Sequence, residues 1–432
     1  TKFLFSFSYF LAILVPSLLS SLYHRRIIYA KYFKLYYNYN KVIRKMKKLI
    51  LGLIVVMFCC SCGKNIAVVS PRDNLVFEYG DKIVLDNLVS IEDGYLINGD
   101  KEYDYKDVGE QIVTIDYRDT KKHKGKYDVT INIVDSVKPI LSISNNLYVL
   151  KDNEIDVCKR AFYADNADRN VACQVTGEID TTLEGKYKVN VKVTDASGNY
   201  VDKDVVVNVI EKFEETPEVE IVPDKIEDMI LKYKTEDTLI GIDVSNHQGD
   251  IDWETVKNSG VEFVFIRIGY GHNREAKIME DEKFRQNLEG ARNAGLKVGL
   301  YFYSYATEIW EAEEQANWIV KTLNGEKIDL PIVFDYETWK SFPTYNINIV
   351  DLNKVAKRFL DILHDNGYEG MNYSSKYYLN TIWNISEYPT WLAHYVSKTN
   401  YDKDFKVWQF SNTGEVPGIN GFVDLDVLYL ES

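Results

Sequence analysis

From Leu239 onward the chain alternates short apolar runs with longer amphipathic ones, and this alternation restricts the fold more than any other feature. The strand-like runs are LIGIDVS (239–245), FVFIRIGY (263–270), KVGLYFYSY (297–305), LPIVFDYE (330–337), YEGMNYSS (368–375), PTWLAHY (389–395), FKVWQFS (405–411) and GFVDLDVLY (421–429). Helical segments separate the early ones: Trp253 to Asn258, Glu282 to Ala294 before Gly295, Thr307 to Leu323, and Asp351 to Asn366 before Gly367. A glycine just past a periodic segment is a helix stop, and Thr307 offers a side-chain cap. Strands alternating with helices predict a mostly parallel sheet. Eight of them predict a closed (β/α) barrel, although about 250 residues is typical of that fold. The gaps between the last three runs are too short for a full crossover helix, which needs about a dozen residues. The expectation is therefore an irregular α/β barrel of eight strands with about five helices and a strand-rich closure over 239–432.

In such barrels the chemistry sits at the C-terminal ends of the strands. PIVFDYE is an apolar run ending in two acids, Asp335 and Glu337. Side chains two apart on a strand share a face, and glycosidic cleavage needs two carboxyl groups flanking one bond. Taken alone, the run also reads as a strand entering a solvated acidic turn. The other strand ends supply company for the pair: Asp243 and His247 at the first, Tyr270 at the second, and Tyr301 and Tyr303 at the third. Tyr373 ends the fifth, Trp391 and Tyr395 the sixth, Gln409 the seventh and Asp424 the eighth. Acids with aromatic residues between them are the composition of a sugar cleft, with the tyrosines, Trp391, His247 and Gln409 as candidate sugar contacts. The competing reading is a hard-cation site built from Asp243, Asp335 and Asp424.

The segments GIDVSNHQGDIDW, FVFIRIGYG, VGLYFYSYA, PIVFDYE, WLAHY and VWQFSNTGEVPGINGFVDLDV, in that order, resemble the glycoside hydrolase family 25 lysozymes. The resemblance covers about 239–432. It implies an irregular (β/α) barrel with N-acetylmuramidase activity on peptidoglycan glycan strands and no cofactor. It implies Glu337 as general acid, and Asp335 and Asp243 as partners that position substrate or stabilise charge. Asp424 matches a further acid of the family cleft. Position 426 more often carries Asn in the family, so Asp426 is a departure and receives no role. Raised by burial and by a neighbouring charge, Glu337 is expected to be protonated and Asp335 ionised. A non-catalytic wall-binding or adhesion protein is the alternative.

The remainder of the chain reads as delivery and spacing. Residues 66–136 and 137–210 share a pattern of a Gly turn, an alternating strand, a polar turn and a second alternating strand. Such period-two alternation predicts two small antiparallel β-sandwiches, and the TDASGN turn before a Val-rich strand resembles bacterial Ig-like cell-surface modules. Cys158 and Cys173 are expected to pair if the domain is exported. Residues 211–238, acidic and with Pro217 and Pro223, read as a stiff linker with a short helix near Lys225 to Tyr233. At the other end, MKKLILGLIVVMFCCSC (46–62) has the basic start, apolar core and small-residue end of a secretory signal. Its Cys62 lies in a lipoprotein-like setting, which implies a lipid anchor on the outer face of the plasma membrane. Translation is expected to begin at Met46, with 1–45 an over-extended upstream segment; a transmembrane helix at 3–23 is the alternative. The net charge of −14 excludes nucleic acid as a natural partner, since phosphate contacts need a basic surface. No Cys/His spacing calls for a metal.

Overall fold

The structure, a computed structural model, describes residues 67–214, 221–271, 277–337, 342 and 346–430. The expected signal at 46–62 with Cys62, and the segment 1–45, lie outside the described residues. The chain divides into two compact units. Among the described residues, the smaller holds 67–69, Ile91–Ile97 and Asp116–Gly125 of the first β module; the larger holds the rest of that module, the second module and the barrel.

In the first module Val76–Glu78 runs parallel to the end of Lys124–Val134, with Val76 opposite Asn132. In the second, Ala172–Thr176, Gly185–Thr194 and Tyr200–Ile210 form an antiparallel set, and Asn146–Leu150 joins Tyr200–Ile210 in parallel. Both modules therefore depart from the purely antiparallel expectation at one pair. Alternation reveals which face a strand buries but not the direction of its neighbour, and here an early strand of each module lies alongside the closing one. Leu147, Val149, Val189, Val191, Val205, Val207 and Val209 fill the second module's core. Cys158 and Cys173 form a disulfide with Sγ–Sγ 2.01 Å.

The C-terminal sheet closes on itself. Strands β1 (Thr238–Val244), β2 (Phe263–Gly271), β3 (Lys297–Tyr303), β4 (Ile332–Asp335), β5 (Gly370–Ser375), β6 (Thr390–Ala393) and β7 (Val407–Glu415) run parallel, each beside the next. β8 (Val423–Tyr429) lies antiparallel between β7 and β1 and seals the barrel. Its direction follows from the short 416–422 connection, which can make a hairpin but no parallel crossover. Among the described residues, helices α1 (Trp253–Asn258), α2 (Phe284–Asn293), α3 (Ile309–Leu323), α4 (Ile349–Asp365) and α5 (Lys376–Thr381) follow β1 to β5 in turn.

Each barrel strand has two apolar faces, as a sheet covered by helices requires. Outward residues such as Ile242, Ile266, Leu300 and Phe334 share a core with Leu288, Ile319, Val355 and Phe359 of the helices. Inward residues Phe263, Phe265, Val333, Met371, Trp391, Val407 and Leu428 fill the interior. A Cβ at Gly241 would collide with the Phe263 ring, and one at Gly299 with Phe265. The two glycines thus make room for large rings inside a narrow barrel.

One expectation about spacing is corrected. Residues 221–238 are not a free linker. The helix Ile226–Tyr233 presents Ile226, Met229, Ile230 and Tyr233 to the barrel core, the i, i+3, i+4, i+7 stripe of an amphipathic helix. Asp224–Lys225 adds in parallel to the end of β7. The second module also touches the barrel. The carbonyl oxygens of Asp165 and Ala167 accept from Ile349 N and Asn348 Nδ2, both at 2.8 Å. Arg169 Nη2 pairs with Asp351 at 2.8 Å, and the Phe162 ring packs edge-on against Phe342 and Tyr378. Among the described residues, no helix is long and apolar enough to cross a membrane.

Candidate active site

All eight strands deliver a side chain to one cleft of about 320 Å³ at the C-terminal end of the parallel strands. The inward parity that places Val333 in the core places Asp335 at the end of β4, 6% exposed. Glu337, two residues on, reaches the exposed rim of the same cleft. β1 adds Asp243, β2 Arg267, β3 Tyr301 and Tyr303, β5 Tyr373, and β7 Gln409 and Asn412. Trp391 of β6, Tyr395 just beyond it and Asp424 of β8 complete the wall. A larger cavity of about 520 Å³ is lined by Leu379, Trp383, Tyr388 and Phe405. It contains none of the converging acids, so chemistry places the site in the smaller cleft.

Hydrogen bonds fix the cleft's floor. The hydroxyls of Tyr373 and Tyr395 each donate to Gln409 Oε1 at 2.9 Å, and Gln409 Nε2 donates to Asp243 Oδ2 at 2.7 Å. Because the amide oxygen is engaged twice, its nitrogen must face Asp243. Trp391 is stacked on Phe265 with centroids 4.5 Å apart and donates from Nε1 to Asp426 Oδ1 at 2.9 Å. It is a buried floor plate, not an open sugar platform. Arg267 Nε donates to Asp281 Oδ2 at 2.7 Å, and its Nη2 donates to Asn246 Oδ1.

Five carboxyl groups share this space, and the charge of Arg267 is already committed to the buried Asp281. Burial drives all of them up. Asp335 stands well above the ordinary carboxylate range, first through desolvation and then through the charges of Glu337 and Asp243, opposed only by Arg267. Asp243 is raised in the same way by burial and Asp424, against the Gln409 hydrogen bond. Asp424 is pushed up to about 6 by desolvation and Glu337. Glu337 is raised by desolvation of its carboxyl and held back by the Tyr373 hydroxyl, although the residue as a whole is exposed at the rim. Asp335 is the more buried of the pair, and the charge of Glu337 adds to the effect of its burial.

Asp426 is fully buried. Its Oδ1 accepts from Trp391, and its Oδ2 is buried with no hydrogen-bond partner. Burial, and then the charges of Asp243 and Asp424, push its carboxyl well above the ordinary carboxylate range. Sequence reading gave this residue no role, although its i+2 spacing from Asp424 was a usable signal.

His247 and Tyr270 are not among the cleft-lining residues. A short turn, Asn246–Gln248, capped by Ser245, carries His247 past the strand end. Tyr270 lies beyond a bulge at Arg267/Gly269, paired with Met279, and its ring packs on the Arg267 guanidinium. Asp281 and Asn412 were missed. Nothing in the sequence announces the hairpin strand Ile278–Glu280 that delivers Asp281.

Residues 242–419 match the family model described as Glycosyl hydrolases family 25. YegX of Escherichia coli (strain K12), an uncharacterized protein, is 31% identical over 200 residues, which are 44% of this chain and 69% of that protein. The chain belongs to glycosyl hydrolase family 25. The autolytic lysozyme of Clostridium acetobutylicum is 32% identical over 189 residues. That match takes in 43% of this chain and 54% of the lysozyme, so the chain spans about half of that relative's length. A solved family 25 glycosyl hydrolase from Bacillus anthracis aligns with 46% of this chain and 91% of its own, at 21% identity and a TM-score of 0.40. The family 25 match begins at Ile242, one residue before Asp243, and spans β2 to β7.

Proposed function

We propose that the barrel is a peptidoglycan hydrolase. It cleaves the β-1,4 bond from N-acetylmuramic acid to N-acetylglucosamine. The observation that carries this reading is the Asp335/Glu337 pair at one end of a closed barrel, with Asp243 and Asp424 converging on it. Glu337 is the member at the rim, within reach of a bound glycan. It gives its proton to the leaving oxygen as general acid. With the proton on Glu337, Asp335 is the ionised partner on the floor, facing the positive charge that develops on the sugar. Asp243 is oriented for the same charge by Gln409. Tyr301, Tyr303, Tyr373 and Tyr395 offer aromatic edges and hydroxyls to the sugar rings.

The disulfide of the second module suits an oxidising compartment. With the signal-like segment 46–62 and Cys62, it supports an exported enzyme tethered by lipid at the cell surface. Cell walls digested by the purified protein and then reduced with borohydride test the bond assignment. Newly reduced muramic acid is the expected product, and newly reduced glucosamine contradicts the assignment.

A further inference from the structure

A second group of acids lies far in sequence from the cleft and has no part in its chemistry. Asp135 follows the last strand of the first module, Lys124–Val134. Asp168 is in the loop after Phe162–Ala164, and Asp195 follows Gly185–Thr194. One carboxylate oxygen from each lies within 4.8 Å of the others. Oxygens bound to one calcium ion at about 2.4 Å can be at most about 4.8 Å apart, so a single ion can touch all three.

Acids gathered on a surface do not make a site, and two further observations separate this group from such a cluster. The first is Asp165, 1% exposed. Its Oδ2 accepts from the backbone N–H groups of Ala167 and Asp168 at 2.9 and 2.8 Å. Its Oδ1 is buried with no hydrogen-bond partner, and the carboxyl feels the charges of both Asp135 and Asp195. The second is that Asp135, 7% exposed, also has a buried oxygen, Oδ2, without a partner. Beside it, both the Oδ1 and the Nδ2 of Asn166 are buried and unpaired. Such oxygens are costly to bury unless something positive meets them. Arg169, next in sequence to Asp168, turns away to Asp351 and Glu308.

The rest of the geometry is that of a cage held open. Asp195 Oδ1 and Oδ2 accept from Asn199 N and Nδ2 at 2.7 and 2.9 Å. Asn199 Nδ2 also donates to the Asp135 carbonyl at 3.0 Å. Asp168 Oδ2 accepts from Ala196 N. Asp168 and Asp195 are thus held in place by backbone and amide donors, and Asp135 keeps a buried oxygen without a partner. The donors are all hard oxygens, with no thiolate or imidazole among them, which selects calcium over transition metals.

We propose that Asp135, Asp168 and Asp195, backed by Asp165 and Asn166, form a calcium site where the first module hands over to the second. The loop 165–170 also carries the backbone contacts to Asn348 and Ile349 of the barrel. An ion there orders the loop on which the barrel docks.

The test is calcium titration of the EDTA-treated full chain by calorimetry, with hydrogen exchange read in parallel. The expected result is one ion per chain with half-saturation at roughly 0.1–1 mM, the range of extracellular modules, and slowed exchange in peptides containing 135–138, 165–170 and 195–199. Asp168→Asn keeps the side-chain shape and an acceptor for Ala196 N, and should weaken binding at least tenfold; Asp335→Asn should leave binding unchanged. Hydrogen exchange on the unaltered chain decides the matter even if Asp168→Asn does not fold. No binding at 10 mM calcium overturns the proposal and leaves the acids sharing protons instead. Protection confined to peptides around 243, 335–337 and 424–426 overturns it too, by moving the ion to the cleft.

Discussion

Asp424→Asn should make the barrel more stable at alkaline pH and no more stable at acid pH. Asp424 is half-buried beside Glu337, and its carboxyl is moved from its ordinary 3.8 to about 6. A raised carboxyl binds its proton more tightly folded than unfolded. The native state therefore takes up more protons across that window, and stability falls as pH rises from about 4 to about 6. Above pH 7 the ionised Asp424 costs the fold about 2–3 kcal/mol, after allowance for solvent screening at a half-buried site. Below pH 4 it costs nothing, because it is neutral in both states. Asn keeps the shape and removes the charge. All seven tryptophans lie between Trp253 and Trp408, so their fluorescence in urea follows the barrel without interference from the β modules. The variant should gain about 2–3 kcal/mol at pH 8 and less than about 0.5 kcal/mol at pH 4. Equal gains at both pH values would refute the idea that the cleft stores like-charge strain. Activity should fall at every pH, since Asp424 is one of the acids that converge on the Asp335/Glu337 pair.

Three other perturbations probe separate parts of the account. Asp426→Asn can still accept from Trp391 and removes a buried carboxyl, so it should keep stability and activity near wild type; Asp426→Leu leaves the buried Trp391 Nε1 without its acceptor and should lower urea stability by about 1–3 kcal/mol. Gln409→Leu removes the acceptor of two tyrosine hydroxyls and the donor to Asp243; the cleft should lose about 2–3 kcal/mol in the same assay, with wall cleavage reduced further than stability accounts for. Replacing Cys158 and Cys173 together by Ala opens a loop with a sequence separation of 15; the second module should lose about 3 kcal/mol, seen by circular dichroism, while tryptophan fluorescence of the barrel changes little.

The barrel was readable because it is built from local signals. Apolar runs such as FVFIRIGY have two buried faces, and glycines such as Gly295 and Gly367 stop the intervening helices. The same period-two parity that buries Val333 told in advance that Asp335 and Glu337 share a face. What depends on partners was not readable. The direction of the strands that give each module a parallel pair is set by a neighbour some sixty residues away. Trp391 reads as a sugar platform until Phe265 and Asp426 are found around it. The apolar stripe Ile226, Met229, Ile230 and Tyr233 was hidden in a segment whose acids and prolines suggested a linker. Asp426 looked like a minor departure from Asn, because only the fold shows that it is fully buried and accepts from Trp391.

The central claim is that Glu337 is the proton donor of a glycan-cleaving site. Its most direct test is the clearing of purified cell walls by wild type and by Glu337→Gln, with tryptophan fluorescence confirming that both are folded. A general acid contributes about 10²–10⁴-fold, so the variant should clear walls at least a hundredfold more slowly. Equal clearing by the two proteins would contradict the account.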